Sequence, residues 1–179
     1  KNDSKDLFDL KIPIGFGYTQ PGKPAQLNTF TVRVNEREQS FYFPLAEKPQ
    51  FVSFDVGNHF LKTVTLEYSV PELKAQLEFD PNPISRIYAA EALAKKSGLE
   101  ATNALSDALK HDSFWGVQVE AAKQLAEIKL DQAFDGLVPG LQDQNASVRR
   151  AVVEALATIK THDSYKAVKN LVKNGDPSY

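Results

Sequence analysis

Three histidines, His59, His111 and His162, are the side chains best suited to hold a metal or move a proton in a chain that has no cysteine. They stand about fifty residues apart. No two have the four-residue spacing with which a helix turns two imidazoles toward one ion. The chain carries no His-Glu-x-x-His run, no Gly-x-Ser-x-Gly elbow, no phosphate-cradling glycine loop and no dinucleotide fingerprint. Gly15-Phe16-Gly17 is a two-glycine coincidence inside an alternating apolar segment. Carboxylate pairs such as Glu36 and Glu38 lie in polar stretches, where hydration is expected rather than a shared proton. No catalytic or metal-ligating set is therefore expected in these residues, and no cofactor is assigned to them.

What does recur is a spacing. Asp80, Asp112 and Asp143 open three related stretches 31 or 32 residues apart, each running on into an alanine-rich segment such as Glu91-Ala-Leu93-Ala or Glu154-Ala-Leu156-Ala. Asp176-Pro-Ser-Tyr179 starts a fourth. A period of this size is that of a helical solenoid. Each unit of a solenoid buries its apolar face against its neighbours, so an array stopping within a unit is expected to be part of a longer one. With Lys at position 1 and no methionine, the chain is expected to be a fragment. The recurring aspartates suit helix entries, where a carboxylate accepts backbone amides and stabilises by about 0.5–2 kcal/mol. Arg86, Arg149 and Arg150 start the second helix of their units. They would either line a groove that meets a peptide carboxylate or another domain, or pair with the neighbouring aspartates, the preferred reading. Phe114 and Trp115, at the same junction, are either core filling or a contact with a missing domain of the same protein, large exposed aromatics being typical interface anchors.

These residues need elements to hold them. Phe8, Leu10, Ile12, Ile14 and Phe16 alternate with polar or small residues, which predicts a half-buried strand. Phe30-Val32-Val34 and Phe41-Phe43-Leu45 flank the polar Asn35–Glu38 and predict a hairpin. Phe51–Phe54 and Val64-Leu66-Tyr68 add two strands around Asp55-Val56-Gly57-Asn58, whose Gly and Asn tolerate positive φ. Five strands sharing one apolar face predict an antiparallel β-sandwich. At Ser69-Val-Pro-Glu72, a capping-box spacing, the period becomes helical. Seven helices follow, near 70–78, 84–97, 100–110, 115–128, 131–142, 146–160 and 163–174. They are paired so that Leu77, Leu109, Leu141 and Val172 align in the first members and Leu93, Leu125 and Leu156 in the second. Gly98 and Gly175 suit helix ends, and Pro139 should end or kink the fifth helix. The expected organisation is a β-sandwich over 1–69, lacking its first strand or strands, then a helical repeat domain over 70–179 with its last repeat truncated.

At 42% hydrophobic and 25% charged, with a formal net charge of -2, the chain has the make-up of a globular domain and lacks the basic footprint of a nucleic-acid binder. No apolar run is long enough for a membrane helix. The cytoplasm is taken as the default location.

The Asp-x-x-x-x-Val-Arg start, seen best at Asp143 to Arg150 and followed by Glu154-Ala-Leu, resembles the short HEAT-type repeat that also occurs in proteins related to phycobilin lyases. Gln118 stands where Arg86 and Arg149 stand, and Phe114-Trp115-Gly116 replaces a polar entry. With the β half added, the segment from Lys48 to Lys62 running into repeats is similar to the carboxyl-terminal region of bacterial zinc aminopeptidases of the aminopeptidase N family, although Asp55-Val56-Gly57 departs from the Asp-Pro-Gly of that family. The resemblance implies a non-catalytic piece of a metallo-aminopeptidase that packs on the catalytic domain of the same chain and restricts peptide access. Zinc would then belong to that missing domain. The alternative is a HEAT-repeat protein-interaction scaffold or a bilin-lyase-like repeat protein.

Overall fold

The structure, a computed structural model, describes residues 7–20, 22–128 and 131–174; Gly175 and the Asp176–Tyr179 start of a fourth unit lie outside them. Leu10–Tyr18 (β1) is the centre of a three-stranded antiparallel sheet, flanked by Gln26–Val34 (β2) and Phe51–Phe54 (β3). Ile14 stands opposite Phe30 on one side and Phe54 on the other. Alternation along β1 puts Ile12, Ile14 and Phe16 on one face with Val32, all buried. There the Phe16 ring meets Phe30 and Phe43 edge-on, at 5.8 and 4.7 Å between centroids.

This is a sheet and not the expected sandwich. β2 pairs with β1, so the hairpin expected between Phe30–Val34 and Phe41–Leu45 does not form. Phe41, Phe43 and Leu45 instead cross the apolar face as irregular chain and pack on its cluster. Val64, Leu66 and Tyr68 are half-buried in an extended segment outside any ladder, with Leu66 and Tyr68 packed on the helical core. Period two in the sequence reports an extended chain with one covered face. It does not say whether that chain has a hydrogen-bonded neighbour.

The second face of β1 is made by glycines. A Cβ at Gly17 would lie 2.2 Å from the ring of Phe51, which is fully buried, so the bare backbone is what lets that ring cross the strand. Gly15-Phe16-Gly17 is therefore a packing device, which the sequence alone did not disclose. Ser53 of β3, also fully buried, brings its Oγ within 3.1 Å of Ser85 Oγ and joins the sheet to the helices.

Among the described residues seven helices follow: Val70–Phe79 (α1), Pro83–Lys96 (α2), Gly98–His111 (α3), Trp115–Glu127 (α4), Asp131–Leu137 (α5), Ala146–Ile159 (α6) and His162–Asn174 (α7). Their bounds fall within a few residues of those expected. Ser69 donates its amide and hydroxyl to Glu72 at the start of α1, at 3.0 and 2.7 Å. Gly98 has φ +88°, a left-handed turn out of α2 that only glycine adopts freely. Pro139 ends α5, whose chain continues as a 3₁₀ turn over Val138–Gln142 because the proline has no amide for the bond back to residue 135. The buried core runs through Leu77, Leu109 and Leu141 of the first helices and Leu93, Leu125 and Leu156 of the second. Val172, expected in the same register, is 82% exposed, and Val168 and Leu171 do the packing on α7. Ala89, Ala90, Ala121, Ala122 and Val152, all fully buried, let α2, α4 and α6 pack side by side as one layer.

Candidate functional site

At each junction between first and second helix the same small structure is repeated. Asp80, Asp112 and Asp143 cap the end of the preceding helical segment, and Oδ1 of each accepts the amide two residues on, from Asn82, Phe114 and Asn145, at 2.9, 2.8 and 2.7 Å. They bind one turn earlier than expected, closing the loop rather than capping the second helix. In the first and third repeats the asparagine does the capping: Asn82 accepts from the Ile84 amide and Asn145 from that of Ser147.

In the first two repeats the residue six positions after the aspartate ties repeat to repeat. Arg86 donates to the carbonyl of Asp80 at 2.8 Å and forks onto both oxygens of Asp112, each at 2.8 Å, with both side chains about nine-tenths buried. Gln118 makes a thinner version, from Nε2 to the Leu109 carbonyl at 3.0 Å and to Asp143 Oδ2 at 3.1 Å. Arg149 bonds the carbonyls of Asp143 and Gln144. Arg86 therefore takes the intramolecular role. Arg150, one residue on from Arg149, is exposed. Burial holds the Asp80 carboxyl above the ordinary carboxylate range, despite bonds from the Asn82 amide, Ser53 and Gln76. Replacing Gln118 with arginine should recreate the fork on Asp143 and stabilise the protein by about 0.5–1.5 kcal/mol. Urea denaturation reads this directly, and a variant less stable than the parent would show that the ladder geometry does not transfer.

The second repeat departs from its neighbours at several positions, and three consecutive ones build one feature. Phe114 occupies the N-cap of α4, where the other repeats have asparagine, and provides no side-chain cap. Trp115 stands where Pro83 and Ala146 stand. Gly116 is in the first turn, where a Cβ would lie 2.5 Å from the Phe114 ring. The ring is thus folded over the bare glycine, and the Trp115 ring lies beside it at 5.7 Å, tilted by 44°. Phe114 is 37% and Trp115 48% exposed. Losing the cap costs about 1 kcal/mol and a helical glycine about 0.5–1 kcal/mol more, so the aromatic pair is shown to solvent at the expense of stability. Sequence comparison among the repeats marked the positions; only the structure shows that the glycine seats the ring.

From Trp115 the outward stripe of α4 continues through Val119, Glu120 and Lys123. On the neighbouring α2, Glu91 is half-buried, and among the described residues its carboxylate makes no hydrogen bond or ion pair. Burial and the charge of Glu120 hold it above the usual carboxylate range, against the pull of Lys95 and Lys123. Glu120 accepts from Gln124 at 2.7 Å and has Lys123 at 3.5 Å.

The histidines do not assemble. His59 bonds Asp55 within its own loop, at 3.2 Å, while His111 ends α3 and His162 begins α7. Among the described residues no group of three or more His, Asp or Glu could hold a metal ion. A recess of about 800 Å³ between Glu127, Asp131, Asp135 and Asp163 has Phe134 and Ile159 in its wall, but its carboxylates are exposed and solvated.

The model of HEAT repeats matches residues 70–137 and again 102–179. Among curated proteins none matches. Of 17 solved chains that do, one is human deoxyhypusine hydroxylase in complex with glycerol, at 24% identity and a TM-score of 0.56, over 64% of this chain and 41% of that one. The chain thus spans well under half of that structure's length, and at this identity the likeness is one of fold. These findings overturn the expected relation to zinc aminopeptidases: the repeats match as HEAT repeats, and the solved chain that they resemble is not a peptidase. The Lys48–Lys62 segment that suggested it is β3 and a turn in which Asp55, Gly57 and Asn58 all take positive φ, so its Asp-x-Gly-Asn pattern reports backbone geometry.

Proposed function

The chain belongs to the HEAT-repeat family, and from that premise we propose that it is a protein-interaction scaffold whose partner docks on the outward face of α2, α4 and α6, anchored by Phe114 and Trp115. One observation carries this reading. A single repeat out of three gives up its asparagine cap and takes a glycine into the first helical turn, and the result is two adjacent, solvent-exposed aromatic rings. A local rule broken at a cost to stability, with no compensating gain in the fold, marks a functional position. Exposed aromatics of this size are typical binding anchors. The sheet of β1 to β3 is, in this reading, an appended module ahead of a repeat domain beginning near residue 70, joined to it by Ser53 and Ser85.

The test is a selection of random displayed peptides against the intact chain, counter-screened with the double variant Phe114→Asn/Trp115→Ala, which copies the entry of the third repeat. The regained cap offsets the lost burial, so its stability should stay within about 1 kcal/mol of the parent. Selected peptides should bind it at least about thirtyfold more weakly, the loss of one aromatic hot spot. Binders indifferent to the double variant, or no binders at all, would refute the proposal.

A further inference from the structure

Resting on the scaffold reading, we infer that the partner of this face presents a lysine or arginine side chain next to an apolar residue, the cation lying between Glu91 and Glu120 and the apolar group on Phe114 and Trp115. The outward stripe of α4 places Trp115, Val119 and Glu120 within successive turns. Val119 and Lys123 follow Trp115 at four-residue intervals, and Glu120, five residues from Trp115, lies on the same side of α4, opposite the buried Val117, Gln118, Ala121, Ala122 and Leu125. α2 packs beside α4 and supplies the second carboxylate.

Charge decides between a cationic and an anionic partner. Cations also stand on this face, namely Lys95, Lys123 and Arg150. Lys123 is 55% exposed and reaches one Glu120 oxygen at 3.5 Å, a contact that water screens and that contributes less than about 1 kcal/mol. Arg150 is exposed and hydrated, so an anionic partner would relieve no strain there. Glu91 differs: it is half-buried, has no hydrogen-bonding or ionic partner among the described residues, and is disfavoured in its charged form first by burial and then by Glu120. A cation arriving between the two carboxylates removes a repulsion already present in the free protein. A solvated arginine has no comparable unmet need for an incoming carboxylate.

The experiment uses the peptides selected above and the fluorescence of Trp115, the chain's single tryptophan, which reports from the site itself. Titration of each peptide into the intact chain should shift the Trp115 emission. The peptides should be enriched in Lys or Arg beside Leu, Phe or Trp. Glu91→Gln/Glu120→Gln should weaken binding about fivefold to fiftyfold while leaving the melting temperature unchanged or raised, since a like-charge pair has been removed. Raising the salt from about 0.05 to 0.3 M should weaken binding to the parent and much less to the double glutamine variant. Peptides that require Phe114 and Trp115 yet are acidic or neutral, or that bind the glutamine variant within about twofold of the parent, would overturn this inference and leave the scaffold reading standing. Peptides that ignore the aromatic pair would overturn both.

Discussion

Substituting Arg86 by alanine should destabilise the protein by about 3–5 kcal/mol, a fall in melting temperature on the order of 10 °C. The guanidinium makes three bonds at 2.8 Å, two of them to the Asp112 carboxylate of the next repeat, and the two side chains are 10% and 6% exposed. Truncation leaves Asp112 buried without its counter-charge and the Asp80 carbonyl without its donor, and that uncompensated burial sets the size of the effect. The protein contains its own milder control. Gln118 spans the equivalent gap with an amide, so Arg86→Gln should cost only about 1–2 kcal/mol. Replacing both partners together, as Arg86→Met/Asp112→Leu, should cost less than Arg86→Ala alone, because no orphaned charge remains. Urea denaturation measures all three. An alanine variant within about 1 kcal/mol of the parent would mean that the pair does not couple the repeats.

Asp55→Ala should produce a loss of similar size, about 3–5 kcal/mol, this time in the loop that follows β3. Its fully buried carboxylate accepts the amides of His59 and Phe60 at 3.1 Å each, the His59 ring at 3.2 Å and the Lys62 ammonium at 2.5 Å. Lys62, 13% exposed, is held in addition by Asn58 Oδ1 at 2.7 Å, so alanine would strip a nearly buried cation of its counter-charge. Asp55 also sits at φ +54°, which alanine adopts less readily than aspartate or asparagine. Asp55→Asn keeps the backbone and isolates the charge. Burial by itself would raise this carboxyl, but the bonds from Lys62, the two amides and His59 outweigh it and hold it below the ordinary carboxylate value. A depressed folded-state value means that the stabilisation is complete above the unfolded value near 4 and is lost as pH falls through the folded one. The parent should therefore lose stability on acidification below about pH 4 more steeply than Asp55→Asn. Matching acid profiles for the two proteins would rule out Asp55 as the source.

The helical half was legible because its signals are local. Asp80, Asp112 and Asp143 mark the junctions by their spacing, Ser69 and Glu72 mark the first helix start, and Pro139 stops α5, each acting through bonds to residues no more than a few positions away. The β half was legible only in part. Phe41, Phe43, Leu45, Val64, Leu66 and Tyr68 alternate as strand residues do, and the structure covers one face of each segment without giving it a ladder. Whether an extended segment finds a hydrogen-bonded partner depends on chain far away in sequence, about which alternation is silent. The Asp55-Val56-Gly57-Asn58 pattern misled in another way, since many unrelated chains need the same residues for the same turn.

At the candidate site, the residue types of Phe114, Trp115, Gly116 and Gln118 already set the second repeat apart, because a repeated sequence supplies its own reference at every position. Tertiary structure decided what those differences do. It seats the Phe114 ring on Gly116, turns Arg86 and Gln118 into the joints between repeats, and sets Glu91 beside Glu120 from a helix about thirty residues away. Capping and periodicity act between near neighbours and so are written along the chain, whereas the pairing of two like charges exists only once α2 and α4 have packed.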